Sequence, residues 1–194
     1  MAQVKKQEVR DHILKGAESL FADNGYVGTT MAAIAAASGV SKSNIYVYFS
    51  SKLEILWAIS NPWLLQRFDA LEADAHSIPE VEERVRMIFR FLWCELPAER
   101  NGFANNMMQA LSTTSESDGY SRELLGWCEE RLAEILGEAL EIPEHEQGDI
   151  RSLAHIAFMA FDGFAVGQNL GVPNNACRPS ADAMSGLLMQ RFRQ

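Results

Sequence analysis

The chain has 194 residues, of which 47% are hydrophobic and 22% are charged. This composition is typical of a folded globular protein and excludes a disordered chain, and the length allows a small head joined to a larger body. No uninterrupted apolar run approaches the ~20 residues of a membrane span, and the N-terminal sequence Met-Ala-Gln-Val-Lys-Lys lacks the apolar stretch of a secretion signal. We therefore expect a cytoplasmic protein with no membrane partner.

The formal net charge of −9 is unevenly distributed along the chain. Residues 1–55 carry six Lys/Arg and five Asp/Glu, whereas the remaining residues carry eleven and twenty-one. The acidic part repels a polyanion such as DNA, so only the N-terminal part is suited to contact phosphates. The three cysteines, Cys94, Cys128 and Cys177, have no paired spacing, and an odd count without a secretion signal predicts reduced thiols.

The spacing of apolar residues predicts an all-α fold of about nine helices. The first helix is expected from about Lys5 to Asn24, where Gly25 ends it. A helix that links the two parts of the chain is expected from about residue 51 to 75, broken or kinked at Pro62. Later helices are predicted over residues 80–96, 103–113, 120–140, 150–170 and 180–192.

Residues 29–54 predict two short helices joined by a tight turn, the arrangement that places one helix in the DNA major groove. Thr30 can cap the first of these helices, and Gly39 stands where it must end, because glycine tolerates a left-handed backbone. Ser41 can cap the second helix, Lys42–Tyr48, whose outer face carries short polar, cationic and phenolic groups. We expect this second helix to read DNA.

This stretch resembles the N-terminal DNA-binding domain of the TetR family of bacterial transcriptional regulators. The motifs that carry the resemblance are Gly25-Tyr26, Thr29-Thr30, Ile34-Ala35, Ser38-Gly39-Val40-Ser41, Tyr46-Val47-Tyr48-Phe49 and Lys52. The sequence departs from the family pattern at Ser43, where glycine is usual, and at Leu53, where an acidic residue is usual, so no base preference is carried over from a relative. The resemblance implies a DNA-binding domain at residues 1–50 and a helical ligand-binding and dimerisation domain at residues 51–194.

The resemblance and the side-chain chemistry together predict the DNA contacts. Hydroxyl and ammonium groups bond phosphate oxygens and fix the position on the duplex, whereas Asn and Ser can bond base edges. We predict phosphate contacts from Thr30, Lys42, Tyr46, Tyr48 and Lys52, and base contacts from Ser41, Ser43 and Asn44. Two alternatives stay open, because the tyrosines can belong to the core and Ser41 can act as a helix cap.

Aromatic, methionine and polar side chains occur together in the body, as they do in pockets with an apolar lining and a few polar anchors. In the TetR family the larger domain binds a small molecule, so the resemblance implies a ligand site there. The candidate contacts are Phe89, Trp93, Phe103, Asn106, Met107, Gln109, Trp127, His155, Met159 and Asp162. The alternative is that most of them are plain core, that His155 is a hydrogen-bonded core histidine, and that Asp162 pairs across a subunit interface.

The last two helices are too apolar to face solvent alone. Small residues within 155–166 and 183–192 permit close approach, and two such helices meeting a two-fold copy bury a four-helix interface, as in the TetR family. A homodimer places two recognition helices about one helical turn (~34 Å) apart, which predicts a palindromic operator.

These patterns favour a ligand-responsive, sequence-specific DNA-binding transcriptional regulator, a repressor released from its operator by a small apolar or aromatic effector. The alternative is a ligand-binding or protein-interaction module whose helix-turn-helix no longer reads DNA. No metal-ligand spacing, nucleophile elbow or nucleotide loop supports an enzyme, a metal site or a cofactor. The sequence leaves open the effector, the operator, and whether the ligand releases or promotes DNA binding.

Overall fold

The computed structural model describes residues 2–99, 102–113, 123–143, 147–170 and 175–192, and within them the protein consists of α-helices without a strand. The all-α prediction is therefore confirmed. The helices are α1 (Ala2–Gly28), α2 (Met31–Ala37), α3 (Lys42–Tyr48), α4 (Lys52–Ser77), α5 (Val81–Arg90), α6 (Phe103–Thr113), α7 (Glu123–Ala139), α8 (Gln147–Asn169) and α9 (Cys177–Phe192). A π-helix (Phe91–Glu95) and a 3₁₀ turn (Leu96–Ala98) follow α5.

The predicted helix bounds agree with the structure best where local signals are strongest. Helices α3 and α6 begin and end at the predicted residues. Of the break or kink predicted at Pro62, the break is wrong, because α4 continues through this residue, which lies on the exposed side of the helix; the kink stays a prediction. Helix α9 begins at Cys177, three residues before the prediction, whereas residues 120–122, where the seventh helix was expected to begin, lie outside the described residues.

The chain folds as two compact units, which we call unit 1 (within residues 1–64 and 100–121) and unit 2 (within residues 65–99 and 122–194). Helix α4 contributes its first half to unit 1 and its second half to unit 2. Helix α6 belongs to unit 1, although it follows more than 30 residues of unit 2 in the sequence. The division of functions at residue 50 stays a prediction.

Unit 1 is built around the side chains that α1, α2 and α3 turn toward each other. Ile13 and Phe21 of α1, Ile34 of α2, and Ile45 and Phe49 at α3 are buried in one apolar cluster. This packing explains how two helices of seven residues each can be stable, since isolated helices of that length do not persist in water. The cluster therefore fixes the orientation of α3.

The end of α1 is held by a side chain from distant sequence. Gly25 interrupts the helix with φ 70° and ψ 173°. Just beyond it, the Val27 amide donates a hydrogen bond to Gln109 Oε1 of α6 at 3.0 Å. A Cβ atom on Gly25 would lie 2.9 Å from the same oxygen and would displace the Gln109 amide from Val27, while the backbone conformation itself favours glycine.

Unit 2 has an aromatic core centred on Phe68 of α4. The Phe68 ring lies 5.5 Å from Trp127, 6.4 Å from Phe158 and 6.5 Å from Phe91, measured between ring centroids. Edge-to-face and offset arrangements of this kind stabilise aromatic clusters beyond their apolar area. Helices that precede α6 in the sequence and helices that follow it thus share one core.

The prediction of three reduced thiols is wrong for two of them. Cys94 of the π-helix and Cys177 at the start of α9 form a disulfide, with a Cα–Cα distance of 5.5 Å. The two residues are 83 positions apart, so their sequence spacing gave no sign of the pair. Cys128 is free and buried, and burial, together with the charge of Glu129, raises the pKa of its thiol to about 12.

Helix α8 is unusually apolar for its exposure. The stretch Gly148–Gly167 is long and apolar enough to cross a bilayer by length and composition, and 33% of it is buried within the chain. One such helix is weak evidence for a membrane span, because apolar helices of globular proteins meet the same criterion. Exposed apolar side chains grouped on one helix are typical of a surface that contacts another molecule.

We predict that Gly25→Ala destabilises the protein more than Gly39→Ala. Both glycines have positive φ, 70° and 67°, so both substitutions carry a backbone cost of about 1–3 kcal/mol, which is larger at Gly25 because its ψ of 173° is essentially confined to glycine. A Cβ on Gly39 would have no neighbour within 4 Å, whereas one on Gly25 would collide with Gln109. The measurement is the free energy of unfolding in urea.

The control for this comparison is Gln109→Ala, made alone and together with Gly25→Ala. Removal of the Gln109 side chain should make the two changes less than additive, since the collision then disappears. Equal losses for the two glycine variants would show that Gln109 does not constrain this segment.

Candidate nucleic-acid interface

Side-chain caps start both helices of the helix-turn-helix. Thr30 Oγ1 accepts a hydrogen bond from the Ala33 amide at 3.1 Å, and Ser41 Oγ accepts one from the Asn44 amide at 3.2 Å. Gly39, in the left-handed region, makes the turn between them. These local features agree with the sequence expectation. Thr30 and Ser41 also remain exposed, so that their hydroxyl groups can still donate to a phosphate or a base.

Helix α3 has a buried side and an open side. Ile45 is buried with Phe49, which follows the helix, and the side chains of Lys42, Ser43 and Tyr46 point outward into solvent. The open side therefore combines a cation with hydroxyl donors, which is the chemistry needed to bond phosphate oxygens and base edges.

Val47 also belongs to this open side, and the sequence reasoning did not select it. Its side chain is 67% exposed, and it lies four residues after Ser43, on the same face of α3. An exposed valine on a helix face that is otherwise polar is suited to contact the methyl group of thymine. The helical period, counted outward from buried Ile45, could have revealed it.

Tyr48 and Asn44 are less accessible than Tyr46. Both are half-buried, and Tyr48 packs against the apolar cluster of unit 1. The alternative that the tyrosines belong to the core therefore applies in part to Tyr48 and not to Tyr46, which is half exposed. The DNA contacts of all three residues stay predictions.

Lys52 makes contacts inside unit 1 that the sequence did not suggest. Its Nζ donates to the carbonyl oxygens of Tyr26 at 2.6 Å and Thr29 at 2.8 Å, and it lies 4.0 Å from the centre of the Tyr26 ring. Burial lowers the pKa of the ammonium group. Two of its three protons are thus used within the protein, and a phosphate contact has to use the third.

A variant of the capping box starts α4, with the glutamate bonded to the residue before the cap. Ser51 Oγ accepts from the Glu54 amide at 3.1 Å, and Glu54 Oε2 accepts from the amide and the hydroxyl of Ser50 at 2.6 and 2.7 Å. A serine followed three residues later by glutamate is a recognisable signal in sequence. The position of Glu54, one residue later than the family pattern, therefore has a structural reason in this chain.

The predicted ligand contacts from α5, the π-helix and α7 lie in the packed core of unit 2. Phe89 and Trp93 are buried with ring centroids 4.8 Å apart, and Trp93 Nε1 donates to the carbonyl oxygen of Ala157 at 2.9 Å. Trp127 packs on Phe68. These contacts are those of core residues, and the ligand contacts of Phe89, Trp93 and Trp127 stay predictions.

The predicted contacts on α8 lie nearer the surface. His155 is exposed and pairs with Glu129, with Nδ1 3.0 Å from Oε1, so it is not a core histidine. Met159 is also exposed. Asp162 is half-buried, and this burial raises the pKa of its carboxyl group. Among the described residues, no group of three His, Cys, Asp or Glu side chains is arranged to hold a metal ion.

The remaining four predicted contacts, on α6, belong to unit 1. Met107 is part of the apolar cluster, and Gln109 holds the Val27 amide. Phe103 lies against Trp63, with ring centroids 4.9 Å apart, and Asn106 is buried. The ten residues therefore divide between two compact units, and neither unit contains the whole predicted set.

We predict that substitution by methionine lowers mainly the stability at Lys52 and mainly the DNA affinity at Lys42. Lys52→Met should lower the free energy of unfolding by about 1–3 kcal/mol, because two carbonyl oxygens lose a charged donor. Lys42 is exposed, so Lys42→Met should change stability by less than about 0.5 kcal/mol and weaken binding to every duplex.

Urea denaturation and DNA binding over a range of salt concentrations measure these effects. The slope of log affinity against log salt should decrease by about 1 for Lys42→Met, because one phosphate contact is lost. An unchanged slope would remove Lys42 from the interface.

The helix-turn-helix and the helical architecture are shared with known proteins. The sequence profile of the family described as "Bacterial regulatory proteins, tetR family" matches residues 13–59. The fatty acid metabolism regulator protein of Bacillus subtilis (strain 168) is 24% identical over 151 residues, which are 77% of this chain and 78% of that protein. Among solved structures, the fatty acid degradation regulator FadR of Bacillus halodurans superposes with a TM-score of 0.67 at 20% identity, covering 93% of this chain and 94% of that one.

The transcriptional regulator FadR of Bacillus subtilis, in complex with stearoyl-CoA, superposes with a TM-score of 0.65 at 22% identity and covers 91% of this chain and 96% of that one. These likenesses extend over both units, whereas the profile covers the helix-turn-helix and the start of α4. Taken with the capped helices and the open face of α3, the profile match assigns the helix-turn-helix to the DNA-binding domain of the TetR family, and the two structures show that the chain shares the fold of these regulators.

Proposed function

We propose that the protein is a homodimeric repressor that binds a palindromic operator and leaves it when an apolar effector binds to unit 2. The open face of α3 carries this proposal. Lys42, Ser43, Tyr46 and Val47 are exposed there, while Ile45 anchors the helix in the core. A face with this composition has no role in packing within unit 1 and suits contact with a DNA groove.

An apolar stripe on α8 supports dimerisation. Ile156 is 54% exposed and Met159 is 53% exposed. The stripe formed by these two residues continues with Gly163 and Val166, so that its members are separated by three, four and three residues. On α9, Leu187 is 60% exposed. Steps of three and four residues place side chains along one seam of a helix, and a seam of this kind is suited to pack against a two-fold copy.

Selection from a pool of random duplexes at near-physiological salt tests the DNA part of the proposal. We expect an enriched inverted repeat whose half-sites are centred about one helical turn apart or a multiple of it. Asn44→Ala should relax the preference at particular bases of each half-site. A pool without an enriched motif would instead support the alternative of a module that no longer reads DNA.

Sedimentation of two variants, together with selection of duplexes by each, tests whether the protein is a dimer through α8. Met159→Asp places a charge on the apolar stripe of α8, so the variant should sediment as a monomer and lose the preference for two half-sites. Leu65→Asp introduces the same charge at an exposed leucine of α4 and should remain a dimer. If both variants stay dimeric, the interface lies elsewhere.

We further propose a long-chain acyl thioester as the effector class. The relative in complex with stearoyl-CoA suggests it, and the aromatic core around Phe68 offers an apolar environment for an alkyl chain. One cleft of unit 2, about 220 Å³ in volume, is lined by Ala133 and Ile150 together with three charged residues, Glu130, Glu134 and Arg151, which suit an alkyl chain poorly. We propose that the alkyl chain enters by separating the aromatic rings around Phe68.

Titration of the protein–operator complex with stearoyl-CoA tests this effector class. We expect DNA affinity to fall by about 100-fold, which corresponds to a coupling of about 2.7 kcal/mol. Free coenzyme A is the control for the polar part, and octanoyl-CoA is the control for chain length. Release by coenzyme A alone would overturn the acyl-chain proposal, and tighter DNA binding would reverse the direction of the switch.

A further inference from the structure

The π-helix that follows α5 is connected to three other helices of unit 2. Phe91 packs on Phe68 of α4, with ring centroids 6.5 Å apart. Trp93 donates a hydrogen bond from its Nε1 to a backbone carbonyl oxygen of α8 at 2.9 Å. Cys94 is joined by its disulfide to Cys177, the first residue of α9. Of these three connections, the one to α9 is a bond that redox chemistry can open and close.

The disulfide is a stronger link between these segments than the ion pair beside it. One turn further along, Arg90 of α5 pairs with Asp182 of α9 at 2.8 Å, and the two side chains are 38% and 46% exposed. Exposed ion pairs of this kind contribute little to stability, because water screens them. The disulfide, by contrast, is covalent and joins residues 83 positions apart. Opening it should therefore loosen the π-helix and the first turn of α9 together.

The surroundings of the two sulfur atoms suit a reversible reaction. Cys94 is half-buried and Cys177 is 4% exposed, so an incoming thiolate reaches the sulfur of Cys94 first. Cys177 then leaves as a thiolate at the N-terminus of α9, where the helix dipole stabilises negative charge. The next residue, Arg178, is exposed and adds positive charge there. The attacked sulfur and the leaving sulfur thus have different, defined places.

We propose that Cys94 and Cys177 form a reversible redox switch, which a peroxide closes and a dithiol opens, and that the open form eases separation of the rings around Phe68. A protein that acts on DNA shares a compartment in which disulfides are usually transient and redox-sensing. This compartment and the effect on the acyl chain rest on the proposed function. The opening and closing of the bond do not.

Both directions of the reaction balance. In closing, one thiolate attacks a peroxide oxygen, the hydroxide that leaves takes up a proton, and the sulfenic acid that results condenses with the second thiol. The two thiols lose two electrons and two protons, and hydrogen peroxide becomes two molecules of water. In opening, a dithiol attacks Cys94, Cys177 leaves and takes up a proton, and the second thiol of the reagent displaces Cys94 as its own disulfide forms.

Thiol counting tests the switch itself. The folded protein is treated with hydrogen peroxide, then with dithiothreitol, then again with peroxide, and samples freed of reagent are unfolded and alkylated with iodoacetamide for mass spectrometry. We expect one alkylated cysteine, Cys128, after each peroxide step and three after dithiothreitol. Three alkylated cysteines after peroxide, or a bond that dithiothreitol does not open in the folded protein, would overturn the proposal.

Amide hydrogen exchange measures what the open bond releases. We expect peptides that cover residues 91–98 and 177–182 to exchange about ten-fold faster in the reduced protein, because the two segments can then open separately. Peptides of α2 and α3, in unit 1, should exchange equally in both states and serve as the internal control. Equal rates in both states at the π-helix and α9 would also overturn the proposal, since the bond would constrain neither segment.

Cysteine variants separate the disulfide from other effects of peroxide, such as oxidation of methionine. The double variant Cys94→Ser/Cys177→Ser should exchange like the reduced protein after either treatment. Cys128→Ser is the matched control and should respond as the wild type does, because Cys128 lies outside the pair. A peroxide response that persists in the double variant would assign the change to another residue. The two states of the wild type share one sequence, so their comparison stands even where a variant does not fold.

Binding of stearoyl-CoA in the absence of DNA tests the connection to the aromatic core. We expect the reduced protein to bind it about ten-fold more tightly than the oxidised protein, because separation of the rings moves Phe91 and with it the π-helix. Equal affinity in the two states would overturn this connection. Binding to neither state would overturn the acyl effector instead, while thiol counting and amide exchange still decide the switch, so the two failures are distinguishable.

Discussion

The DNA-reading part of this protein depends on the Lys52 ammonium group. Carbonyl groups at the end of a helix carry partial negative charge and lack partners within the helix. Lys52, the first residue of α4, donates to the carbonyl oxygen of Tyr26, near the end of α1, and to that of Thr29, which lies between α1 and α2. One nitrogen therefore connects the end of α1, the start of α2 and the start of α4. Helix α3 lies between α2 and α4 in the chain, so this nitrogen fixes the segments that come before and after it.

Local signals in the sequence were sufficient for the helix-turn-helix, and contacts between distant residues were not. The caps at Thr30 and Ser41 and the turn at Gly39 involve partners within a few residues, so residue types and spacing predicted them. The partners of Lys52 and Gln109 lie 23 to 82 residues away. A pattern of residue types carries no information about such pairs, and the same reason explains why the disulfide was not foreseen.

The candidate ligand site shows a second limit of sequence reasoning. Aromatic residues at helical spacing face the protein interior, where they belong either to a packed core or to the wall of a cavity. Trp93 is core by its contacts, whereas Phe103 lines a cavity, although both aromatic residues were selected by the same criterion. The distinction depends on whether the neighbouring helices fill the space beside each ring. That in turn depends on how all of these helices pack together, which the sequence of one helix does not show.

The state of the three sulfur atoms makes the chain convenient for spectroscopic labelling. Cys94 and Cys177 are joined, and Cys128 is buried with a pKa of about 12, so none offers an accessible thiolate at neutral pH. A cysteine placed at Ala36, exposed on α2, would then be the preferred site for a nitroxide reagent without prior removal of the natural cysteines. In a symmetric pair of chains, the dipolar coupling between two such labels would report the separation of the two DNA-reading heads in solution.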